Sequence, residues 1–418
     1  MISPIILVAV VIGSLVVIHE FGHLLLAKLN KLPVEAFSIG FGPVLLKKQI
    51  GSTEYKLSLI PLGGYIKLTG DDITSETGFN AASLGKKTAV ILAGPISNLI
   101  LGIILTTILY SVFGVSNPEP RIIPEGNAIT AGFVQGDYIV KIGQDTVKSW
   151  TDLEKQYDFY SNQEIIITIR RDEEIKTIKY KFIPDSFPFS PFISPIIDRV
   201  KAKSPAEKIG LKKGDEIIEI AGQPISEWYR FVEIIQNAEP KNQFIKWRRN
   251  GQTFQDSILP HFAPDELTKK RIGSIGIWVK IPEKPMSILR AIETATTRSI
   301  YVAGQTFVIL YKIITGKIPR SAIGGPVMVA KYTYEGAQWG AKYLIGLWAL
   351  LSINLCVINI IPIPILDGGR VLLYTIESIR RKKLSKKQWE IAFWIGYGLI
   401  GLLLIFALTN DITRLLRR

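Results

Sequence analysis

Residues 15–27 read Leu-Val-Val-Ile-His-Glu-Phe-Gly-His-Leu-Leu-Leu-Ala and continue an apolar run that starts at the N-terminus. His19, Glu20 and His23 form an H-E-x-x-H pattern near the end of this run. Residues four apart share one face of a helix, so both imidazoles can bind one Zn²⁺ while Glu20 reaches a water molecule beside it. With three histidines in 418 residues, chance produces the pattern on the order of 0.001 times per chain. The stretch therefore predicts a membrane-embedded helix that carries a zinc site.

Four stretches without Asp, Glu, Lys or Arg are long enough to cross a bilayer, which takes about 20 apolar residues in a helix. They are residues 1–19, 88–117, 343–366 and 391–410. The chain is 47% hydrophobic with a mean hydropathy of +0.25, yet 21% of its residues are charged. Apolar and charged residues are therefore segregated along the chain, which excludes a disordered chain and an ordinary soluble enzyme. No basic residue precedes the first stretch and no small-residue cleavage site follows it, so we expect it to remain in the mature protein.

Positive charge is concentrated on one side of the predicted spans. No ionisable side chain precedes the first span, whereas eight lysines lie between the first and the second. Seven further arginines and lysines lie in residues 370–390. Because cytoplasmic loops carry the excess of Lys and Arg, we expect both loops in the cytoplasm. Both termini and residues 118–342 are then expected on the outer side, although Arg414, Arg417 and Arg418 argue mildly against this orientation.

The region between the second and third spans contains an internal repeat at a shift of 78 residues. Residues 131–139 and 209–217 share the pattern G-[FL]-x-x-G-D-x-I, and Trp150 matches Trp228. The pattern resembles the PDZ domain, whose groove accepts a strand or a chain end at a sheet edge. The repeat therefore predicts two PDZ-like α/β modules. Two β-rich spacers without a ligand remain the alternative.

Two further segments are expected at the membrane surface. Thr53–Leu68 alternates apolar and polar residues around Pro61, Gly63 and Gly64, which predicts a β-hairpin with an interrupted edge. This hairpin is the candidate edge for receiving an added strand, and proline at hydrogen-bonding positions in residues 56–60 is expected to slow cleavage. Residues 286–342 contain apolar runs that are broken by glycine and lysine. A charge at the bilayer centre costs ~3 kcal/mol, so we expect interfacial helices there rather than a fifth crossing.

Catalytic zinc takes three protein ligands, so the H-E-x-x-H motif requires a third from elsewhere. The remaining histidine, His261, lies in the outer region and hence across the membrane. Asp367 directly follows the third span, behind Pro362 and Pro364 and ahead of two glycines. The prolines stop the helix and the glycines permit a tight turn, so the carboxylate can be directed into the bundle. The alternative is that Asp367 caps a helix that begins near Gly368.

Taken together, these motifs resemble the bacterial site-2 protease family of intramembrane zinc metalloproteases over essentially the whole chain. The N-x-x-P-x-P-x-L-D-G pattern that starts at Asn359 and the G-P-x-x-N pattern that ends at Asn98 are part of this resemblance. It implies that zinc is bound by His19, His23 and Asp367 and that Glu20 is the catalytic base. It further implies support of the substrate or the transition state by Asn359, Asn98, Gly63, Gly64 and Tyr65.

The resemblance also implies a function and a location. The family cleaves transmembrane segments of single-pass membrane proteins, such as anti-sigma factors already trimmed by an upstream site-1-type protease, and remnant signal peptides. We therefore expect a stress-response protease of the bacterial inner membrane, with membrane lipid around it and no nucleic-acid partner. Its active site would lie near the cytoplasmic side, and its PDZ domains would act as a substrate size filter on the periplasmic side.

The expected fold is a polytopic α-helical membrane protein with four transmembrane helices, a membrane-associated β-hairpin and two extracytoplasmic PDZ-like α/β domains. The expected segments are 1–114, 115–194, 195–283, 284–342 and 343–418. Two other classes of function compete with a protease. A zinc-dependent PDZ scaffold would leave Glu20 without a purpose, because a structural zinc site needs four ligands and no base. A transporter would also place His and Asp in the membrane, but the four spans show no inverted repeat.

Overall fold

The computed structural model describes residues 4–71, 75, 77–160, 162–183, 187–264, 271–279, 281–317 and 324–416. Arg417, Arg418 and residues 318–323 of the predicted interfacial region lie outside the described residues. The chain forms two compact units, one of Met1–Phe113 with Met286–Arg418 and one of Gly114–Pro285. Each unit has its own hydrophobic core.

Helices dominate the first unit and strands dominate the second. In chain order the described helices are α1 (Pro4–Leu29), α2 (Leu84–Ile108), α3 (Asn127–Thr130), α4 (Trp150–Phe159), α5 (Pro205–Lys208), α6 (Trp228–Gln236), α7 (Ile288–Ile314), α8 (Pro326–Gln338), α9 (Ala341–Ile360), α10 (Asp367–Arg380) and α11 (Lys386–Leu416). The described strands are β1 (Val34–Ile50), β2 (Thr53–Leu68), β3 (Val115–Ser116), β4 (Ile122–Pro124), β5 (Tyr138–Ile142), β6 (Asp145–Thr146), β7 (Glu164–Arg171), β8 (Glu174–Lys181), β9 (Phe189–Pro191), β10 (Ile197–Val200), β11 (Glu216–Ile220), β12 (Gln223–Pro224), β13 (Gln243–Arg249), β14 (Gln252–Ile258), β15 (His261–Pro264), β16 (Arg271–Ser274), β17 (Ile277–Val279) and β18 (Glu283–Lys284).

Four helical segments are long and apolar enough to cross a membrane, as the sequence predicts. They are Ile6–Leu29, Leu84–Phe113, Ala341–Ile360 and Lys386–Thr413. The second of them continues α2 through a π-helical turn. Within the described residues α7 is not among these candidates, although it has 27 residues. Its charged side chains account for this, in agreement with an interfacial position.

The sheet of the first unit differs from the predicted hairpin. Thr53–Leu68 is one strand, β2, and its partner is β1. The prediction of a hairpin within residues 53–68 is therefore wrong, because its two halves pair with β1 and not with each other. Within β1, Gly40 and Gly42 have φ angles of +88° and +83°. They bend β1, so that its end pairs with the start of β2. β2 bends as well, between residues 58 and 64, so that its two ends lie on opposite sides of the start of β1.

The start of β2 is paired on both sides, so the open edge of the sheet lies elsewhere. Lys56 pairs with Ser38 on one side and with Lys47 on the other, so it lies inside the sheet. Residues 53–68 were expected to provide the edge, and the choice of positions from Lys56 onward for proline is therefore wrong at its start, because residues 54–57 are paired on both sides. Residues 64–68 pair with the beginning of β1 and form an edge of the sheet.

A buried carboxylate joins α11 to the start of α8. Asp411 is fully buried and accepts the backbone N–H groups of Gly325, Val327 and Met328 at 2.8, 3.0 and 3.1 Å. The first N–H groups of a helix have no partner within the helix, so a carboxylate at this position stabilises the N-terminus of α8.

The second unit contains two modules of the same topology, which confirms the internal repeat. The first has strand order β6-β5-β7-β8 and the second β12-β11-β13-β14. In each module a fully buried aspartate pairs with an arginine 34 residues later: Asp137 with Arg171 and Asp215 with Arg249. The repeated buried pair, at the predicted Gly-Asp turn, indicates that both copies fold in the same way.

Candidate active site

The two histidines of the H-E-x-x-H motif face the same point between α1 and α2. His19 and His23 lie one turn apart on α1, and each is 8% exposed. Their Nε2 atoms are 3.2 Å apart. Side chains at i and i+4 share one helix face, so α1 alone brings the two imidazoles together.

Asp367 reaches the two imidazoles from the first residue of α10. The chain turns so tightly after α9 that a Cβ on Gly368 would lie 1.9 Å from the carbonyl oxygen of Ile360. Glycine permits this approach. Oδ2 of Asp367 lies 3.1 Å from Nε2 of His19 and 3.6 Å from Nε2 of His23. Leu366 is at the N-cap position of α10 and Asp367 is the first residue of the helix, so Asp367 is not the N-cap residue that the alternative assumed.

The three ligand atoms lie within about 0.2 Å of the spacing in a tetrahedral zinc site. Tetrahedral zinc with ligand bonds of about 2.0–2.2 Å separates its ligand atoms by about 3.3–3.6 Å. The separations here are 3.1, 3.2 and 3.6 Å. In the described part of the chain, His19, His23 and Asp367 form the one group of three metal-binding side chains with close ligand atoms. Oδ2 of Asp367 is buried without a hydrogen-bond partner among the described residues, and a bound cation would satisfy it. Two imidazoles and a carboxylate therefore fit a catalytic zinc site.

Hydrogen bonds behind the imidazoles leave both Nε2 atoms free for a metal. Nδ1 of His23 lies 2.8 Å from the carbonyl oxygen of Val90, so this nitrogen carries the proton. The side-chain amide of Asn98 lies 3.2 Å from Nδ1 of His19. Oδ1 of Asn98 otherwise has no partner among the described residues, so the amide orientation that satisfies both groups has Oδ1 accepting from Nδ1–H. Asn98 thus orients His19, as partners of zinc-binding histidines commonly do.

Gly94 provides the space that the imidazoles occupy against α2. A Cβ at this position would lie 2.4 Å from Nε2 of His23 and 2.9 Å from Cε1 of His19. The sequence pattern that includes Gly94 and Asn98 therefore has a physical basis. The glycine admits both rings, and the asparagine one turn later orients one of them.

Replacing Gly94 by alanine is expected to remove zinc from the protein. Contacts below 3.0 Å to both imidazoles would displace the ligand atoms, so zinc affinity should fall by at least about 100-fold. Metal analysis of the purified variant measures this effect. Gly85→Ala in the same helix is the matched control, since a Cβ there meets nothing within 4 Å. Equal zinc contents in the two variants would contradict the assigned role of Gly94.

A cavity of about 310 Å³ opens beside the ligand atoms and contains further predicted site residues. Glu20 and Asn359 line it together with Tyr65. A Cβ on Gly64 would lie 3.5 Å from Cγ of Glu20, and the ring of Phe41 packs against Gly63. The structure thus brings Glu20, Asn359 and Tyr65 to one cavity, which neither Gly63 nor Gly64 lines. Asn98 lies behind His19 instead.

Sequence analysis missed an ion pair that fixes α10. Nη2 of Arg370 lies 2.5 Å from Oδ1 of Asp71, which follows β2, and both residues line the cavity. Burial opposes the charge of Arg370, but the attraction of Asp71 outweighs it and raises the pKa of Arg370 above its usual value. The pair joins the helix that begins at Asp367 to the sheet. No motif signals it, because the two residues are 299 positions apart.

Comparisons with known proteins agree with this geometry. Peptidase family M50 matches residues 7–403. The Regulator of sigma-E protease RseP of Escherichia coli is 31% identical over 442 residues, which cover 97% of each chain. A Vibrio cholerae protein named as a zinc metalloprotease is 32% identical over 444 residues, again with 97% of each chain covered.

Two solved structures resemble part of the chain. The PDZ domain of the SdrC-like protein of Listeria monocytogenes is 23% identical, with a TM-score of 0.18, and covers 22% of this chain and 90% of its own. The PDZ domain of the SdrC-like protein of Listeria innocua is 26% identical with the same TM-score and covers 22% of this chain and 99% of its own. From the family match and the full-length relatives, the chain belongs to peptidase family M50 and is a zinc metalloprotease of the site-2 type.

Proposed function

We propose that this protease hydrolyses peptide bonds within membrane-spanning segments of single-pass proteins. The observation that carries the proposal is the position of the three ligand atoms and Glu20, which lie at one cavity beside two membrane-spanning candidates, α1 and α9. A relative bears the name Regulator of sigma-E protease, which favours anti-sigma factors as one substrate class. Remnant signal peptides, which the family resemblance implies, are the second proposed class. The bacterial inner membrane is the corresponding location.

Incubation of the detergent-purified, zinc-loaded chain with single-span substrates tests the proposal. We expect cleavage inside the span, loss of cleavage with a zinc chelator, and recovery when zinc is restored. Cleavage confined to soluble peptides, with the spans intact, would contradict it.

The roles of the site residues follow from their positions. Zinc, when bound, polarises the scissile carbonyl and lowers the pKa of water. His19, His23 and Asp367 would hold it. Glu20 accepts the proton of the attacking water and returns it to the leaving amine, which requires a carboxylate at the cavity that is not itself a ligand. Asn359 lines the same cavity and can donate a hydrogen bond to the developing oxyanion.

The open sheet edge at residues 64–68 is the proposed receiver of the substrate. A helical substrate hides its carbonyl groups in internal hydrogen bonds, so it must become extended before its peptide bond can be attacked. Tyr65 and Ile66 on this edge line the cavity. An added strand would therefore run past Glu20.

Proline at the receiving edge is expected to slow cleavage about tenfold or more, because it removes a backbone donor. Tyr65→Pro and Ile66→Pro test this edge, and Lys47→Pro and Lys48→Pro on the other outer segment of the sheet are controls. Cleavage rates are compared among variants with full zinc content. If both sets of variants cleave at the rate of the unmodified chain, strand addition at residues 64–68 is refuted.

We further propose that the two modules of the second unit are PDZ domains on the periplasmic side that exclude bulky substrates. The excess of Lys and Arg between the first two spans and in residues 370–390 supports this sidedness, because it favours the cytoplasm for both loops. The zinc ligands then lie across the membrane from the modules. The modules could not supply a ligand or a proton, so exclusion or peptide binding remains for them.

Removing the modules is expected to let the enzyme cleave substrates that keep a large outer domain. The backbone N–H of Asn117 donates to the carbonyl oxygen of Pro282 at 3.0 Å, so residues 118–281 can be replaced by a short glycine linker. Cleavage of trimmed and untrimmed substrates by both forms is the measurement. Size exclusion predicts that the shortened chain cleaves both equally. Loss of cleavage on both substrates, with zinc retained, would indicate a peptide receptor instead.

A further inference from the structure

A second cavity of about 240 Å³ lies in the first unit where α2 begins and α10 ends. It does not contain the zinc ligands or Glu20. Its lining includes four cations, Lys87, Arg381, Lys382 and Lys383, and one carboxylate, Glu377. The established proteolysis does not use any of these residues.

Lys87 is a buried cation at this cavity. The residue is 7% exposed, and its Nζ donates to Oδ1 of Asn80 at 3.2 Å. Nζ also lies 4.3 Å from the ring centroid of Tyr374. Neither partner carries a charge. Burial of an ammonium group is costly unless an anion accompanies it, so the site is suited to an anionic ligand.

Glu377 attracts Lys87, but it is one carboxylate among four cations that line the cavity. Oε1 of Glu377 accepts the backbone N–H of Leu384 at 2.8 Å and Nε1–H of Trp389 at 3.1 Å. These bonds hold the turn between α10 and α11. Lys382 and Lys383 are exposed, and neither forms an ion pair with a described carboxylate. The cavity therefore has an excess of positive charge.

The start of α2 adds to the attraction for an anion. The N-cap residue Ser83 forms no side-chain cap hydrogen bond, and the first turn contains no acidic residue. The unpaired N–H groups of a long helix favour an anion at its N-terminus. Leu84 at this end lines the cavity.

We propose that this cavity binds the phosphate of an acidic phospholipid. Two membrane-spanning candidates, Leu84–Phe113 and Lys386–Thr413, begin beside it, so the cavity lies at the level of lipid headgroups. Basic pockets between membrane helices are suited to anionic headgroups. The bound lipid would connect α2, which packs against the imidazoles, to α10, which carries Asp367.

Lipid retention by the zinc-loaded full chain tests the proposal without reference to proteolysis. The probe is phosphatidylglycerol in competition with phosphatidylcholine, measured by native mass spectrometry of the detergent-purified protein. We expect one tightly retained phosphatidylglycerol. Lys382→Gln combined with Lys383→Gln should weaken its retention roughly 20- to 30-fold, from about 1 kcal/mol per lysine near a membrane surface. Excess inorganic phosphate should not displace it.

The matched control removes the same charge at neighbouring positions outside the cavity. Lys386→Gln combined with Lys387→Gln alters two exposed lysines that do not line the cavity and so do not contact a phosphate bound in it. Retention should therefore fall clearly less than in the Lys382 and Lys383 double variant. Equal losses in the two double variants would indicate attraction to the surface in general and would overturn the proposal. Displacement of the lipid by inorganic phosphate would overturn it in favour of a soluble phosphate ligand.

Discussion

Glu20→Gln is expected to abolish peptide-bond cleavage while the protein keeps its zinc. Glu20 lines the cavity beside the ligand atoms but does not belong to the group of ligands formed by His19, His23 and Asp367. Glutamine has nearly the same shape and cannot accept the proton of the attacking water. General-base catalysis contributes about 10²- to 10⁴-fold to a rate, so the cleavage rate should fall by at least about 100-fold.

Zinc content and cleavage rate, measured on the same preparation, decide this prediction. Glu35→Gln is the matched control. Glu35 is an exposed residue of β1, and its carboxylate forms an ion pair with Lys67 of β2 at 2.6 Å. The control should cleave at the rate of the unmodified chain. A Glu20→Gln variant that holds zinc and cleaves normally would show that another group accepts the proton.

The ligand set could be predicted because each part of it has a local signal. The spacing of His19 and His23 equals one helical turn, so the sequence determines their contact directly. Asp367 could be predicted as a candidate ligand because positive charges place the motif and the end of the third span at the same membrane depth. Elimination of His261 on the same grounds left a carboxylate as the third ligand. These inferences need no knowledge of how the helices pack.

The sheet and the second layer of the site depend on tertiary contacts, which local patterns do not contain. Gly40 and Gly42 suggest a turn, yet they bend a strand whose start pairs with two parts of β2. The pairing of Arg370 with Asp71 joins residues that are far apart in sequence. The motif that contains Gly94 is part of the family resemblance. That Gly94 leaves space for the imidazoles could not be predicted, because this depends on the packing of α1 against α2.

Asp367→Ala is expected to remove both zinc and activity. Asp367 is the proposed third ligand, and among the described residues no other His, Cys, Asp or Glu groups with His19 and His23 at ligand spacing. Two imidazoles alone do not retain catalytic zinc, which takes three protein ligands. Zinc affinity should therefore fall by more than about 100-fold, beyond the usual effect of changing a residue behind a ligand.

The control for this variant must be another buried carboxylate whose loss affects folding but not the metal. Asp411 meets this requirement, because it is fully buried and caps α8. Asp411→Ala should keep its zinc while the free energy of unfolding falls by about 1–2 kcal/mol through loss of the cap. Metal analysis and thermal unfolding of both variants separate the two effects. If Asp367→Ala were to retain zinc at the level of Asp411→Ala, the third ligand would have to be another group and the turn at Gly368 would have a structural role only.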